Sequence, residues 1–279
     1  MGIKYQGRKK NNNNNNKQSF WDRPGITRDR QQVEATRINS EQKARLLAAS
    51  APHSGDWLFA LPVTSCGLRL DNESVRVAVA LRLGLPLGAP HTCQCGAEVD
   101  ACGLHGLVCK RAPSRIIRHQ YLNDIVARSL IDAGVPITKE PVGLSRLDGK
   151  RPDGMTLIPY QAGKMLVWDV TVVSTLADSY VAAAAREAGE AAEQAAVRKC
   201  AKYAELPSTF SFLPIAVETL GPMNASAMEF FAELGRRIET NSGDNRQTKY
   251  LFQRLSVCIQ RFNSALFRES FVAHEDPDE

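Results

Sequence analysis

The chain has 279 residues, a formal net charge of +5 and a 43% share of hydrophobic residues. This length and composition are sufficient for a sizeable core in one large domain, or in a main domain with smaller satellites. The sequence contains no apolar run of about eighteen residues, which argues against a membrane span, and no apolar signal core near its N-terminus. We therefore expect an intracellular protein without a membrane partner.

The positive charge is concentrated near the N-terminus. Residues 1–45 contain eleven Lys or Arg and four Asp or Glu, a net +7, so the remaining residues sum to −2. Six consecutive asparagines, Asn11 to Asn16, are flanked by lysines and cannot bury enough apolar surface to offset their chain entropy. We expect residues 1–50 to form a disordered basic, Asn-rich tail and a linker with a short helix. A basic tail is typical of a nucleic-acid tether.

Residues 51–90 indicate a small helical subdomain. A helical stretch begins at Ser74 and is ended by Gly84 and Pro86. Its predicted apolar face is formed by Val75, Val77, Val79, Ala80 and Leu83. These side chains predict packing and offer no recognisable chemistry.

Soft metal ligands crowd into residues 91–112. Four of the seven cysteines lie between positions 93 and 109, and in a chain without a secretion signal this clustering favours a metal over disulfides. The favoured ligands of a tetrahedral site are Cys93, Cys95, His105 and Cys109. They form two pairs that can close the loop around an ion, and a full shell of four ligands predicts structural Zn²⁺. Cys102 and His91 are further candidates, and reduced cysteines in a glycine-rich loop are the alternative.

The next helix is predicted over residues 114–133, with Ser114 as its cap and Gly134 at its end. Its predicted buried face consists of Ile117, Tyr121, Ile125 and Leu130. Its basic side chains are predicted to lie largely elsewhere; they are Arg115, Arg118, His119 and Arg128. Positions 115, 118 and 119 suit contacts with a nucleic-acid backbone, although a solvated arginine-rich face would have the same sequence.

Two strands that each carry one aspartate are predicted after a first strand over residues 135–142. Asp153 stands just before the run Met155 to Pro159, and Asp169 lies within the run Met165 to Val173. Unbroken runs of β-branched and aromatic residues are typical of strands buried on both faces. A carboxylate inside such a run is costly unless a cation or hydrogen-bond donors meet it. We therefore expect the two aspartates to converge on a divalent metal across one hairpin.

The C-terminal part continues the alternation of helices and strands. An alanine-rich helix is predicted over residues 177–205, a fourth strand over 210–220, and a helix opened by a capping box at Ser226. The last helix, over 244–268, has Leu251, Leu255, Cys258 and Phe262 at core spacing, and residues 273–279 form an acidic tail. The order of elements predicts an α/β fold with a mixed central sheet flanked by helices.

The acidic and basic residues fit metal-dependent phosphodiester hydrolysis. Asp153 and Asp169 could hold Mg²⁺, a hard cation that prefers carboxylate oxygen, and Glu140 is a further ligand candidate. Lys199 and Lys202 lie three residues apart on one side of a helix, where either could orient water or stabilise negative charge. Taken singly, Asp153 after a proline is a common turn residue, and the lysines suit a solvated helix end.

These motifs, taken in order, resemble the C-terminal part of non-long-terminal-repeat retrotransposon polyproteins that carry a restriction-enzyme-like endonuclease. The motifs are Cys-x-Cys-Gly from Cys93, Gly-x-His-Gly-x-x-Cys ending at Cys109, Arg118-His119, Glu140-Pro141, Arg151-Pro152-Asp153, Trp168-Asp169-x-Thr171 and Lys199-x-x-Lys202-Tyr203. In that family a zinc knuckle precedes a nuclease of the PD-(D/E)XK type. The resemblance covers roughly residues 57–270.

The resemblance implies an αβββαβ nuclease core over residues 113–272 after a zinc knuckle over 91–112. It also implies Mg²⁺-dependent nicking of DNA, in which the nicked end primes reverse transcription. Asp153 and Asp169 match the metal-binding acids, and Lys199 or Lys202 matches a catalytic lysine moved from strand to helix. The usual lysine two residues after the second acid is replaced by Thr171.

The same resemblance implies DNA as the partner, with the element's RNA as a second partner and the nucleus as the location. Contacts with nucleic acid are expected from Arg115, Arg118, His119 and Arg151. The chain lacks the Tyr/Phe-x-Asp-Asp signature of a reverse transcriptase, which indicates a detached fragment. A catalytically silent zinc-containing nucleic-acid-binding module is the main alternative, and a purely structural scaffold is another.

Overall fold

The computed structural model describes residues 18–36, 38–144 and 149–271, and it divides the chain into two compact units, Met1–Asn39 and Ser40–Glu279. The described part of the first unit contains the helix α1 (Gln18–Ala35), in which Gln18 donates a hydrogen bond to Asp22. The asparagine run of the expected disordered tail, and the acidic end over residues 273–279, lie outside the described residues.

The second unit contains all the strands of the described chain. Its helices are α2 (Ser40–Ser50), α3 (Asn72–Leu83), α4 (Leu104–Val108), α5 (Ser114–Asp132), α6 (Val181–Ala184), α7 (Glu190–Lys202), α8 (Ala225–Ser242) and α9 (Gln247–Arg268), with 3-10 turns at Asp56–Phe59 and Val142–Leu144. Its strands are β1 (His91–Thr92), β2 (Glu98–Val99), β3 (Ile137–Lys139), β4 (Gly154–Thr156), β5 (Met165–Val173) and β6 (Phe210–Glu218).

The main sheet is mixed, as the sequence predicted, and has the order β3-β4-β5-β6. The first three strands pair antiparallel, and β6 pairs parallel to β5 along the whole length of both strands. The strand β3 is shorter than the predicted 135–142, because Pro136 and Pro141 flank it and proline cannot donate to a ladder. The strand β5 has the predicted bounds.

Alternation along β5 directs its side chains to two different helical layers. Leu166, Trp168 and Val170 join the main core, which is built with α5, α8 and α9. Val173 faces the other layer, where Ala216 of β6 packs against the alanines of α7. Since Asp169 lies two and four residues from Val167 and Val173, it also faces α7. Small alanine side chains let that helix approach the sheet closely.

The buried face of α5 differs from the predicted one. Ile125 and Leu130 are buried as predicted, but Ile117 and Tyr121 are 41% and 51% exposed. The structure buries Arg118 instead, which is only 3% exposed. Ser114 is also not a side-chain cap, because its N–H and hydroxyl both donate to the Glu269 carboxylate at the end of α9.

Other helix predictions are also corrected in detail. The helix α3 is capped by Asp71, and Val75, Val79 and Leu83 on its predicted apolar face are exposed. The predicted single helix over 177–205 is two helices, because Gly189 adopts a left-handed conformation between them. The capping box at Ser226 is absent, since α8 begins after Asn224. The four predicted core residues of α9 are all buried.

The cysteine-rich module of residues 91–112 packs onto the C-terminal end of α9. His91 bonds through Nε2 to the Ser270 hydroxyl at 2.9 Å, and Gln94 donates to the Phe271 carbonyl. Gly106 in α4 approaches the α9 backbone so closely that a Cβ would lie 3.0 Å from the Leu266 carbonyl oxygen. The module is therefore part of the same packed unit as the sheet.

A membrane span is not found among the described residues. No helix in residues 18–36, 38–144 and 149–271 combines the length and the apolar character needed to cross a bilayer.

Candidate functional site

Asp153 is held at the start of β4 by the backbone of β5. Its N–H donates to the Trp168 carbonyl at 3.0 Å, which extends the antiparallel ladder by one residue. Its carboxylate oxygen Oδ2 accepts the N–H of Val170. The next residue must be glycine, because a Cβ on Gly154 would lie 2.0 Å from the Trp168 ring. The Pro-Asp-Gly sequence thus directs the Asp153 carboxylate toward the second acidic strand.

Asp169 lies in the middle of β5 and is 3% exposed. Its Oδ1 accepts a hydrogen bond from the Lys199 ammonium at 2.8 Å. Its Oδ2 is buried and accepts no hydrogen bond from the described residues, although the Lys202 ammonium lies 3.5 Å away. A buried carboxylate oxygen without a hydrogen bond is costly, which is a feature expected where a cation completes the site.

His119 of α5 reaches the same place from the other side of the sheet. Its Nε2 lies 3.0 Å from Asp153 Oδ2 and 3.1 Å from the Val170 carbonyl oxygen. Both neighbours are acceptors, so Nε2 carries the proton and donates. The hydrogen bond to Asp153, followed by the charges of Asp153 and Asp169, raises the pKa of His119, while burial and Lys199 oppose the shift.

These three residues form a group that could hold a metal ion. One ligand atom each from His119, Asp153 and Asp169 lies within 4.8 Å of the others. Two carboxylate oxygens suit a hard divalent cation such as Mg²⁺, and the unsatisfied oxygen of Asp169 is an available ligand. The residues present therefore fit a divalent cation. We refer to this group, together with Lys199 and Lys202, as the acidic cluster.

Both predicted lysines of the acidic cluster contact Asp169. They lie in the last turn of α7, and their side chains are about one quarter exposed. Lys202 also donates to the Tyr203 hydroxyl, which in turn donates to the Arg151 carbonyl oxygen. Tyr203 thereby links the end of α7 to the Arg-Pro-Asp segment. The sequence predicted that the lysines belong to the site, whereas Tyr203 entered that prediction only as part of the resemblance.

The remaining predicted site residues lie outside the cluster. Glu140 has a left-handed φ of 45° just after β3, and its exposed side chain is not grouped with the acids, although its N–H donates to the Asp153 carbonyl. Arg118 is too buried to contact nucleic acid, which corrects that prediction. Arg115 bonds to the carbonyls of Val108 and Cys109. The exposed Arg151 is still a candidate for such contacts.

Asn123 is a site residue that sequence reasoning missed. Its amide oxygen accepts the Trp168 indole N–H at 2.8 Å, and its amide nitrogen donates to the Asp153 carbonyl. It therefore joins α5 to both aspartate strands. A polar residue four positions after His119 in an otherwise apolar helical face is the signal that could have indicated it.

The four predicted zinc ligands come together as a second cluster. Ligand atoms of Cys93, Cys95, His105 and Cys109 all lie within 4.8 Å of one another. The sulfurs of Cys93 and Cys109 are 3.8 Å apart, and Cys95 Sγ lies 3.1 Å from His105 Nε2. A tetrahedron with Zn–S bonds of about 2.3 Å has edges of about 3.8 Å. This cluster could hold a metal ion such as zinc, and Cys102 and His91 lie outside it.

The thiols of this cluster differ in their proton affinity. A hydrogen bond from the Ala97 backbone, with contacts to the other ligands, lowers the pKa of Cys95 to about 7. Burial raises the pKa of Cys93 to about 11. A bound cation would favour the thiolate form of every ligand, since metal-coordinated thiols are deprotonated. Gathering these thiols in a half-buried cluster is therefore consistent with a metal site.

Comparison with known proteins gives no family assignment. No protein-family model matches the chain, and no curated protein is significantly similar to it. The geometry of the acidic cluster and of the cysteine/histidine cluster is therefore the basis for inferring a function.

Proposed function

We propose that this protein is a metal-dependent endonuclease that hydrolyses phosphodiester bonds in DNA. The observation that carries the proposal is the convergence of Asp153 and Asp169, with His119, within 4.8 Å of one another and in contact with two lysines. The buried Oδ2 of Asp169, which lacks a hydrogen bond within the described residues and lies beside a second carboxylate, needs an explanation, and a bound cation would supply one. Phosphodiester hydrolysis needs this combination of anionic metal ligands and nearby positive charge.

Mg²⁺ bound by Asp153 and Asp169 would supply the positive charge that polarises a phosphoryl oxygen. His119 is better suited to hold Asp153 in place through its Nε2–H than to bind Mg²⁺, which prefers oxygen. Lys199 or Lys202 would place an ammonium beside the charge that develops on the phosphate, or orient the attacking water. The helix α7 thus supplies the cation that a lysine at position 171 would otherwise provide.

The order of elements supports the same proposal. Apart from the short helix α6 between β5 and α7, the helix α5, the strands β3 to β5, the helix α7 and the strand β6 follow in the order helix, three strands, helix and strand. This is the order that the proposed PD-(D/E)XK-type core requires, and the acids lie just before its second strand and within its third. We further propose that nicking serves retrotransposon integration, with a nuclear site of action and the element's RNA as a second partner.

Nicking of supercoiled plasmid tests the proposal. We expect Mg²⁺-dependent nicking by the native chain, and a loss of at least about a hundredfold in Asp153→Asn and in Asp169→Asn, because each variant removes one anionic ligand while conserving shape. Asp178→Asn is the matched control, since Asp178 is exposed and forms no ion pair within the described residues. Circular dichroism would check that each variant is folded.

The result that would overturn the proposal is a folded native protein that does not nick DNA in Mg²⁺ or Mn²⁺. A comparable loss in Asp178→Asn would also contradict the assignment of the site. Lys199→Met and Lys202→Met distinguish the roles of the two lysines. Replacing a catalytic lysine is expected to reduce the rate at saturating DNA, whereas replacing a lysine that only contacts DNA weakens binding alone.

One observation favours a second candidate function. Lys199 lies 2.8 Å from Asp169, so the chain's own cation already neutralises that acid. In a catalytically silent nucleic-acid-binding module this pair would be structural, and the cysteine/histidine cluster would stabilise the fold. Salt-dependent DNA binding by the native protein without nicking is the result that supports this alternative.

A further inference from the structure

A cleft of about 760 Å³ lies between α5 and α9 beside residues 65–67. Its side chains include Tyr121 and Arg128 of α5, and Tyr250, Arg254 and Arg261 of α9. At about 100° per residue, Tyr121 and Arg128 lie roughly opposite His119 around the axis of α5. The α5–α9 cleft is therefore separate from the acidic cluster, and none of its lining residues has a part in the proposed cleavage.

The charges of the α5–α9 cleft favour an anionic ligand. Within the described residues, Arg128 and Arg254 form no hydrogen bond and no ion pair. Arg261 is fixed in the wall by donating to the carbonyls of Gly67 and Arg69 at 2.8 and 3.0 Å. The acidic lining residues are Asp124 and Asp132, and Asp124 is already paired with Lys139 outside the cleft. Two arginines are thus available to bind a ligand.

Two tyrosines give the cleft flat and preorganised aromatic surfaces. Tyr121 is 51% exposed, and its ring packs on Phe262 with a centroid separation of 5.2 Å. Tyr250 is fixed by donating its hydroxyl proton to the Cys66 carbonyl at 3.2 Å. The Arg254 guanidinium lies 5.5 Å from the Tyr250 ring centroid. Rings held in this way can stack on a planar ligand without a large loss of side-chain freedom.

We propose that the α5–α9 cleft binds a short single-stranded segment of nucleic acid. Bases would stack on Tyr121 and Tyr250, and phosphates would pair with Arg128 and Arg254. A duplex hides the faces of its bases, so it would leave the tyrosines without partners. An acidic peptide would use only the arginines, and it would also leave the two tyrosines without stacking partners.

Fluorescence anisotropy of labelled oligodeoxythymidylate on the full chain, without added Mg²⁺, tests the proposal. The double variant Arg128→Gln/Arg254→Gln is expected to bind at least about tenfold more weakly and to reduce the slope of log affinity against log salt by about 1.4, for two phosphate contacts. Tyr121→Leu is expected to weaken binding about fivefold or more. Because Tyr121 is half exposed, this variant should fold.

The charge-matched control is Arg236→Gln/Arg246→Gln, which removes two exposed arginines of α8 and the turn before α9. It is expected to change affinity less than about twofold. An equal loss in this control would overturn the proposal, since binding would then follow total charge. Unchanged binding by Tyr121→Leu would overturn it as well. So would competition by polyglutamate or by duplex DNA that equals competition by the unlabelled single strand. Cleavage activity does not enter either readout.

Discussion

Replacing Gly154 with alanine tests how the two aspartate strands are held together. The residue pairs with Trp168 across β4 and β5, and a Cβ would lie 2.0 Å from the indole ring carbon Cζ2. An ordinary contact is at least about 3.4 Å, so the ring must move by more than 1 Å. The ring cannot move freely, because Trp168 is completely buried and its N–H donates to Asn123.

The expected loss of stability follows from these contacts. Forcing one extra carbon into a packed core costs about 1–3 kcal/mol, and breaking the bond between Trp168 and Asn123 adds about 1 kcal/mol. We therefore expect Gly154→Ala to lower the free energy of unfolding by about 2–4 kcal/mol. With a urea m-value near 3 kcal/mol/M, the unfolding midpoint would fall by about 1 M. The Asp153 carboxylate, one residue away, would move with the strand.

Urea unfolding followed by tryptophan fluorescence measures this loss. Gly143→Ala is the matched control, because a Cβ there meets nothing within 4 Å and the backbone has no positive φ. That variant should remain within about 0.5 kcal/mol of the native protein. A Gly154→Ala midpoint equal to that of the control would refute the reasoning, since it would mean that the indole can yield at little cost.

Two further predictions concern buried ionisable groups. Burial raises the pKa of the Glu218 carboxyl above its ordinary value of 4.5. The folded state therefore favours the protonated carboxyl, and the contribution of Glu218 to stability is fully present below pH 4.5 and is lost as pH rises through the raised pKa. Glu218→Gln should therefore become more stable relative to the native protein as pH rises above 4.5. A difference in melting temperature between the two proteins that does not change with pH would contradict this. Zinc should raise the melting temperature by roughly 10 °C at saturating concentration. Cys93→Ser should abolish that increase, whereas exposed Cys200→Ser should retain it.

Local patterns predicted the parts of the molecule that depend on neighbouring residues. The strand β5 has no competing interpretation, since eight apolar or β-branched residues interrupted by a single aspartate do not suit a surface helix. The cysteine/histidine cluster could be predicted equally well, because its ligands lie close together in the sequence. The lysines of α7 could be placed near the acids only through the resemblance and the order of elements, and the structure brings both into contact with Asp169.

The face of α5 could not be predicted, because it has more apolar residues than one stripe can hold. Ile116 and Ile117 near its start are exposed, while Arg118 between them and His119 is buried. Which stripe faces inward depends on how α5 packs between β5 and α9, and that packing is not encoded in its periodicity. His119 was consequently interpreted as a DNA contact, although the fold directs it to Asp153. The position of Glu140 could not be predicted for a related reason, since the end of β3 is set by its pairing with β4.

The docking of the cysteine-rich module on α9 also has a kinetic consequence. The contact between His91 and Ser270 joins parts of the chain that are far apart in sequence, with α5, the main sheet, α7 and α8 between them. Loops of that size close late, so this contact is expected to be absent from the folding transition state. Interactions of that kind slow unfolding and leave the folding rate nearly unchanged. Zinc bound in the module would then slow unfolding, so that the lifetime of the folded sheet would depend on the supply of the ion.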